Sequence, residues 1–255
     1  MRHALLGTYT YLEFGLTCLC WVPVMKVASS LHAHDPTHRV PGQWVRRLGR
    51  VTSNMTPLWK FSTDGTPPAN IDRKPYVVIA NHESQADPFL LSHLPWDMRW
   101  IAKESLFKPP IVGWILTMGG DIPLQRGQRG SVEKMFDECR YTLKNGMSVM
   151  IFPEGTRSKD GTMLPFKDGA FQMAIEAKVP ILPVALSGTK DCMPKGSAWL
   201  GEAHARARVL APISTEGLTL EDLPRIREEA RATIGDAVLK LRAELAARPS
   251  TPPPR

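Results

Sequence analysis

The residues with the clearest chemical potential lie in two short stretches. The first reads Asn81-His82-Glu83-Ser84-Gln85-Ala86-Asp87-Pro88-Phe89, and the second reads Pro153-Glu154-Gly155-Thr156-Arg157-Ser158. A carboxylate bonded to one ring nitrogen of a histidine fixes its tautomer and raises the basicity of the other nitrogen, so His82 with Asp87 would make a general base. Five positions on a regular helix turn two side chains about 140° apart, so the pair can meet only across a turn that leads into a helix. Asp87-Pro88 supplies such a junction, with Asp as N-cap and Pro at the first helical position. On spacing alone the alternative stays open, in which Asp87 is merely a cap and His82 a loop histidine. In the second stretch Gly155 lets backbone come close to a ligand, Thr156 offers a hydroxyl, and Arg157 offers a planar fork suited to phosphate. Taken alone, a turn with a solvated Arg157 fits as well. A metal reading of His82, Glu83, Asp87 and Glu154 lacks a second histidine at ligand spacing, and no metal is expected.

Both stretches follow short apolar, β-branched runs. Tyr76–Ala80 and Met147–Phe152 read as buried strands, with Met98–Ala102 and Ile181–Leu186 as further candidates. His204–Leu210 alternates as a half-exposed strand does. Helices are expected at 131–144, with Ser131 as N-cap and Gly146 as stop, at 168–178, and at 220–247 with a weakening at Gly235. Strands alternating with helices imply an α/β fold, a central mixed β-sheet flanked by helices, whose chemistry gathers in loops beyond the strands' carboxyl ends. Residues 62–249 would form this domain, beginning with a linker at 62–74, and the Pro-rich end at 250–255 would be a disordered tail.

The whole chain has 255 residues and a net charge of +7, with 43% apolar and 22% charged residues, which excludes a disordered or collagen-like chain. Cys18, Cys20, Cys139 and Cys192 are too few and too scattered for a disulfide framework. The basic balance points to an anionic partner, and the front of the chain suggests which kind. Ala4–Met25 is apolar apart from Glu13, yet its uncharged run from Phe14 falls short of the roughly 20 residues of a spanning helix. Trp44, Leu48, Val51, Met55 and Leu58 then recur at helical spacing among Arg39, Arg46, Arg47, Arg50 and Lys60, with no acid between them. Such a helix could lay its apolar face into a bilayer while its arginines hold lipid phosphates; packing on the domain core is the alternative. Residues 1–61 are therefore read as an N-terminal membrane-docking helical segment. No nucleic-acid module is recognisable.

Four blocks, in order, resemble the glycerophospholipid acyltransferase family, whose best-known members act on 1-acylglycerol-3-phosphate (lysophosphatidate). They are Asn81-His82-x4-Asp87, Gly120-Asp121-Ile122-Pro123-Leu124-Gln125-Arg126, Phe152–Ser158, and Val179–Val184. Lys103-Glu104-Ser105-Leu106, with Gly113-Trp114 after it, also falls where that family has a Lys-x-x-Leu segment before Gly-Trp. Gln125 departs from the family pattern, which often has Asp before the Arg, and this bears on acceptor choice.

The resemblance implies an O-acyltransferase. His82, oriented by Asp87, would take the proton of the acceptor hydroxyl as it attacks the thioester of acyl-CoA or acyl carrier protein, with no enzyme nucleophile and no cofactor. Arg126 and Arg157, with Lys103 as a further candidate, would bind the acceptor phosphate, and Glu154, Gly155 and Thr156 would belong to the acceptor site, Glu154 by orienting Arg157, a polyol hydroxyl or the loop, since a carboxylate cannot pair with a phosphate. The implied partners are membrane lipids, a lysophospholipid acceptor and the acyl thioester, at the cytoplasmic face of a membrane. Other acceptors (another lysophospholipid or a lyso-aminolipid) stay open, as does a catalytically silent lipid-binding module. A metal-assisted hydrolase using His82, Asp87 and Glu154 has too few ligands.

Overall fold

The computed structural model describes residues 2–158, 161–194 and 196–247; the expected tail at 250–255 lies outside them. Helices α1 (Arg2–Leu31) and α2 (Arg39–Met55) precede a body built on a seven-stranded sheet. Its strands are β1 (Trp59–Asp64), β2 (Val77–Ala80), β3 (Met98–Lys103), β4 (Ile122–Leu124), β5 (Ser148–Ile151), β6 (Ile181–Ser187) and β7 (Ala203–Val209). Their spatial order is β1-β7-β6-β2-β5-β3-β4, and every neighbouring pair is parallel except β6 with β7. The remaining α-helices are α3 (Asp87–Leu91), α4 (Val112–Met118), α5 (Arg129–Lys144), α6 (Gly169–Ala177) and α7 (Leu223–Ala246).

The central strands are buried on both faces, as parallel strands covered by helices must be. Val77, Ile79, Val149 and Ile181 point into one apolar layer with Cys139 of α5, Phe171 of α6 and Ile226, Ile234 and Leu241 of α7. Val78, Ala80, Met150 and Leu182 point to the opposite layer with Leu90, Trp96 and Trp100. This two-residue alternation is the strand period itself.

Several expectations are corrected. Residues 59–64 are strand β1, paired along its length with β7, so a boundary at 61/62 would cut the sheet. Ser131 does not cap α5; its hydroxyl accepts the backbone N–H of Gln125, and the helix begins at Arg129. Helix α7 runs unbroken through Gly235. The largest correction concerns α2. Val45 and Leu48 are buried against Cys18 and Met25 of α1 and Ile115 of α4, with Trp44 packed at the edge. Its arginines are also engaged. Arg46 grips Asp121 at 2.6 and 2.7 Å and lies over the Trp100 ring, Arg39 reaches Asp97 at 3.5 Å, and Arg50 donates to the Ser92 carbonyl at 3.3 Å. Most of the stripe expected to enter a bilayer is spent on the protein's own core, with Leu48 and Leu58 buried and Trp44 and Val51 half-buried; only Met55, at the helix end, is exposed.

Helix α1 is continuous past Glu13 and lies along the body. Thr10 bonds Thr56 at 2.7 Å, the Tyr11 hydroxyl donates to the Ala198 carbonyl, Phe14 packs on Phe89, and the Trp21 indole donates to the Trp44 carbonyl. Glu13 is on this inner face, accepting from Thr17 at 3.1 Å. The outer face presents Leu5, Tyr9, Leu12, Leu16, Leu19, Val27 and Leu31 to the exterior. It is the one helix, among the described residues, long and apolar enough to cross a membrane.

Candidate active site

The carboxyl ends of β2, β3, β4 and β5 share one edge of the sheet, because these strands are parallel. Each candidate site residue lies at or soon after one of those ends. His82 comes after β2, Lys103 closes β3, Arg126 follows β4, and Glu154 to Arg157 follow β5.

His82 and Asp87 meet. The imidazole Nδ1 is 2.7 Å from Asp87 Oδ2, and the aspartate is fully buried. Asp87 opens α3, as the Asp-Pro junction predicts, but its carboxylate does not cap that helix. It folds back over the preceding turn, where Oδ2 also accepts the backbone N–H groups of Glu83 (2.8 Å) and Ser84 (3.1 Å). Oδ1 accepts the hydroxyl of Thr189, which follows β6. With four donors around it, the carboxylate is fixed in rotation, and so is the ring it holds. Since Nδ1 faces a carboxylate, Nε2 is the nitrogen left to take a proton. The ring is stacked on Phe152 at a centroid distance of 4.1 Å and an interplanar angle of 16°. Because the amides of residues 83 and 84 are committed to Asp87, they are not candidates for stabilising an oxyanion.

Of the orienting roles open to Glu154, the structure shows it bonded to the backbone of the loops. Its Oε1 accepts the backbone N–H of His82 at 2.7 Å, and its Oε2 accepts that of Leu164 at 2.8 Å. Burial pushes its carboxyl above the usual carboxylate range, while the Leu164 and His82 amides pull the other way. Ser158 N–H donates to the His82 carbonyl at 3.0 Å, so both backbone groups of His82 are tied to the loop after β5. This geometry makes Glu154 a brace between the two loops rather than a direct contact for an acceptor.

Gly155 has φ +69°, and a Cβ there would lie 2.9 Å from Lys167 Cε and Nζ. The left-handed backbone favours glycine here, whereas the contact with the flexible end of Lys167 could be relieved by a shift of that side chain. Thr156 is exposed and Arg157 half-buried. Arg126 and Arg157 lie close enough that burial and the Arg157 charge together hold Arg126 below its ordinary value. Lys103 is exposed at the end of β3, in register with Leu124, two residues before Arg126. Two guanidinium groups, with a lysine on the same edge, can bind one anion.

Ser84 is buried, its hydroxyl bonded to the Ala86 amide and the Met193 carbonyl. Cys139 is fully buried, and burial pushes its thiol up to about 12. Neither is placed as a nucleophile. Among the described residues no group of three His, Cys, Asp or Glu side chains is arranged to hold a metal ion. Sequence reasoning missed Thr189, Phe152 as a ring platform, and Asn81 as a clamp. The Asn81 amide donates to the Leu186 carbonyl (3.0 Å) and accepts its N–H (2.8 Å), locking the end of β2 to β6. No local signal marks Thr189, because its partner is 102 positions away.

The profile of the Acyltransferase family matches residues 64–187, which includes all four blocks. The chain is 37% identical over 184 residues to a 1-acyl-sn-glycerol-3-phosphate acyltransferase of Chlamydomonas reinhardtii, covering 72% of this chain and 55% of that protein. It is 35% identical over 190 residues to the Saccharomyces cerevisiae protein of that name, covering 73% and 63%. With the human alpha form it shares 37% over 160 residues, covering 62% and 56%. The chain thus spans a little over half the length of these curated relatives. The crystal structure of PlsC, the 1-acyl-sn-glycerophosphate acyltransferase of Thermotoga maritima, superposes with a TM-score of 0.78 at 26% identity, covering 98% of each chain. By its ordered blocks and these likenesses, the chain belongs to the acyltransferase family.

Proposed function

We propose that the chain is an O-acyltransferase that moves a fatty acyl group from acyl-CoA or acyl carrier protein to the free hydroxyl of 1-acylglycerol-3-phosphate, forming phosphatidic acid. The observation that carries this reading is the His82–Asp87 pair, held by three further donors to the carboxylate, beside two arginines at the same sheet edge. His82 Nε2 takes the hydroxyl proton as the acceptor oxygen attacks the thioester carbon. The tetrahedral intermediate collapses with cleavage of the C–S bond, and the imidazolium returns the proton to the departing sulfur. Arg157 and Arg126, with Lys103 nearby, hold the acceptor phosphate and so place its hydroxyl at the base. Gly155 and Thr156 form the loop surface beside them. The names of the related proteins support lysophosphatidate as acceptor.

The acceptor and product are lipids, and the outer apolar face of α1 is where the protein would meet them. Because the inner face of α1 is packed on the body from Leu6 to Ala28, we read the helix as lying in one face of a bilayer rather than crossing it. The cytoplasmic face fits a donor that is a cytosolic thioester.

The test is thiol release from palmitoyl-CoA in detergent micelles, with and without lysophosphatidate, for wild type and His82→Ala. Release that requires the acceptor and disappears in the variant is expected. If wild type releases no thiol from palmitoyl-CoA or palmitoyl carrier protein with any lysophospholipid, the reading is wrong.

A further inference from the structure

One charged contact at this site comes from outside the family-like blocks. Glu83, the residue after His82, has a side chain only 3% exposed, yet it is paired with Arg242 near the end of α7 at 2.9 Å. The same Arg242 Nη2 donates to the Gly161 carbonyl. The Gly161 N–H in turn donates to the Ser158 hydroxyl at 2.9 Å, and the Ser158 N–H donates to the His82 carbonyl at 3.0 Å. These bonds close a ring from His82 through Glu83, Arg242, Gly161 and Ser158 back to His82. The other oxygen of Glu83 accepts the Gly188 N–H at 3.2 Å, beside the Thr189 that holds Asp87. Gly188 has φ +95°, and a Cβ there would collide with the His204 carbonyl oxygen, so this junction has little room to adjust. Burial pushes the Glu83 carboxyl up, and the Arg242 guanidinium opposes that.

We propose that Arg242 is a positioning residue of the site, clamping the loop that carries His82 to the loop that carries Arg157 through Glu83 and the Gly161 carbonyl. The inference rests on the acyltransferase reading given above. Helix α7 does not need Arg242 for its own docking, since Ile226, Ala230, Ile234, Val238 and Leu241 are already buried against the sheet. What the guanidinium adds is the relative placement of the base and the phosphate-binding loop, to which rates are steep: a misplacement near 1 Å costs about 100-fold.

The test compares Arg242→Ala, Arg242→Lys, Glu83→Gln and the double variant Glu83→Gln/Arg242→Ala with wild type. Arg242→Ala should lower kcat for thiol release by about 10- to 100-fold, with KM for donor and acceptor near wild type. Arg242→Lys should recover much of that loss, because both bonds leave a single nitrogen and an ammonium can supply both. The double variant should be no slower than Arg242→Ala, because Arg242 acts through Glu83. Wild-type kcat in Arg242→Ala, a lysine variant as slow as the alanine one, or additive losses in the double variant would each overturn the proposal. Hydrogen exchange gives a readout independent of activity. Amides of residues 82–86 and 158–164 should exchange faster in Arg242→Ala while those of 226–238 stay protected; unchanged exchange in the two loops would overturn the clamp. If wild type transfers no acyl group, the acyltransferase reading falls, and the exchange arm alone decides the clamp. Should Arg242→Ala fail to fold, the lysine variant must keep near-wild-type kcat, or the proposal fails.

Discussion

Asp87→Asn separates the charge of the buried carboxylate from its geometry. In a Ser-His-Asp triad the corresponding amide leaves the wrong ring tautomer and costs about 10⁴ in kcat. Here the surroundings dictate which way the amide turns. Oδ2 faces three N–H donors, from His82, Glu83 and Ser84, so an NH₂ group there would oppose all of them. Oδ1 faces only the Thr189 hydroxyl, which can rotate and accept instead. The asparagine should therefore place its oxygen at the Oδ2 position, keep Nδ1 protonated and preserve the tautomer. What is lost is the negative charge beside the imidazolium. A charge-assisted bond exceeds a neutral one by about 1–1.5 kcal/mol, and a full unit charge at about 4 Å is worth about 4 kcal/mol at an effective dielectric of 20. These bounds predict a fall in kcat of about 10- to 1000-fold. Thr189→Val in the Asp87→Asn background removes the acceptor for the NH₂ group and should deepen the loss, while Thr189→Val alone should chiefly lower the melting temperature. The assay is acceptor-dependent thiol release, with circular dichroism to confirm folding. A single-variant loss near 10⁴, or none at all, would refute the reasoning, the first by showing an inverted amide and the second by showing that the carboxylate is not used.

Glu154→Gln must set an N–H against the backbone N–H of His82 or Leu164, costing about 1–3 kcal/mol of stability, and should lower kcat without raising the acceptor KM. A rise confined to acceptor KM would return Glu154 to a direct contact with the acceptor. Arg157→Ala or Arg126→Ala should raise the acceptor KM about 10-fold or more and leave the donor KM nearly unchanged, whereas equal effects on both substrates would contradict a phosphate site. Asp64, hydrogen-bonded to Arg208, has its carboxyl held below the ordinary 3.8, so its contribution is present above that pH and lost as pH falls through the depressed folded value. Asp64→Asn should thus lower stability near neutrality by about 1 kcal/mol or less given its partial exposure, read as a lower melting temperature, and match wild type in strong acid; a deficit that persists there would exclude the pair as its cause. Leu12→Asp with Leu16→Asp, at side chains 62% and 63% exposed, should leave the melting temperature unchanged but weaken flotation with liposomes by about 10-fold or more per residue. Unchanged flotation would remove α1 as the docking face.

The sequence determined the chemistry that depends on short spans of chain. Val77–Ala80 and Val149–Phe152 are apolar at every position, which suits strands covered on both faces, and the reactive residues follow them directly. Asp87 lies near enough to His82 for one turn to join them, so the pair was legible, although the cap assigned to Asp87 was not where its carboxylate went. Other features depend on residues distant in the chain, and no local pattern encodes a distant partner. Glu154 braces the backbone of His82 across 72 positions, Thr189 fixes Asp87 across 102, and Arg242 reaches Glu83 across 159. The membrane face shows the same limit. Periodicity identifies an apolar stripe but not what the stripe will touch, since core and lipid both exclude water. Only the packing of α2 on α1 and α4 settled that most of its stripe lies inside the protein and that the longest run of exposed apolar side chains belongs to α1.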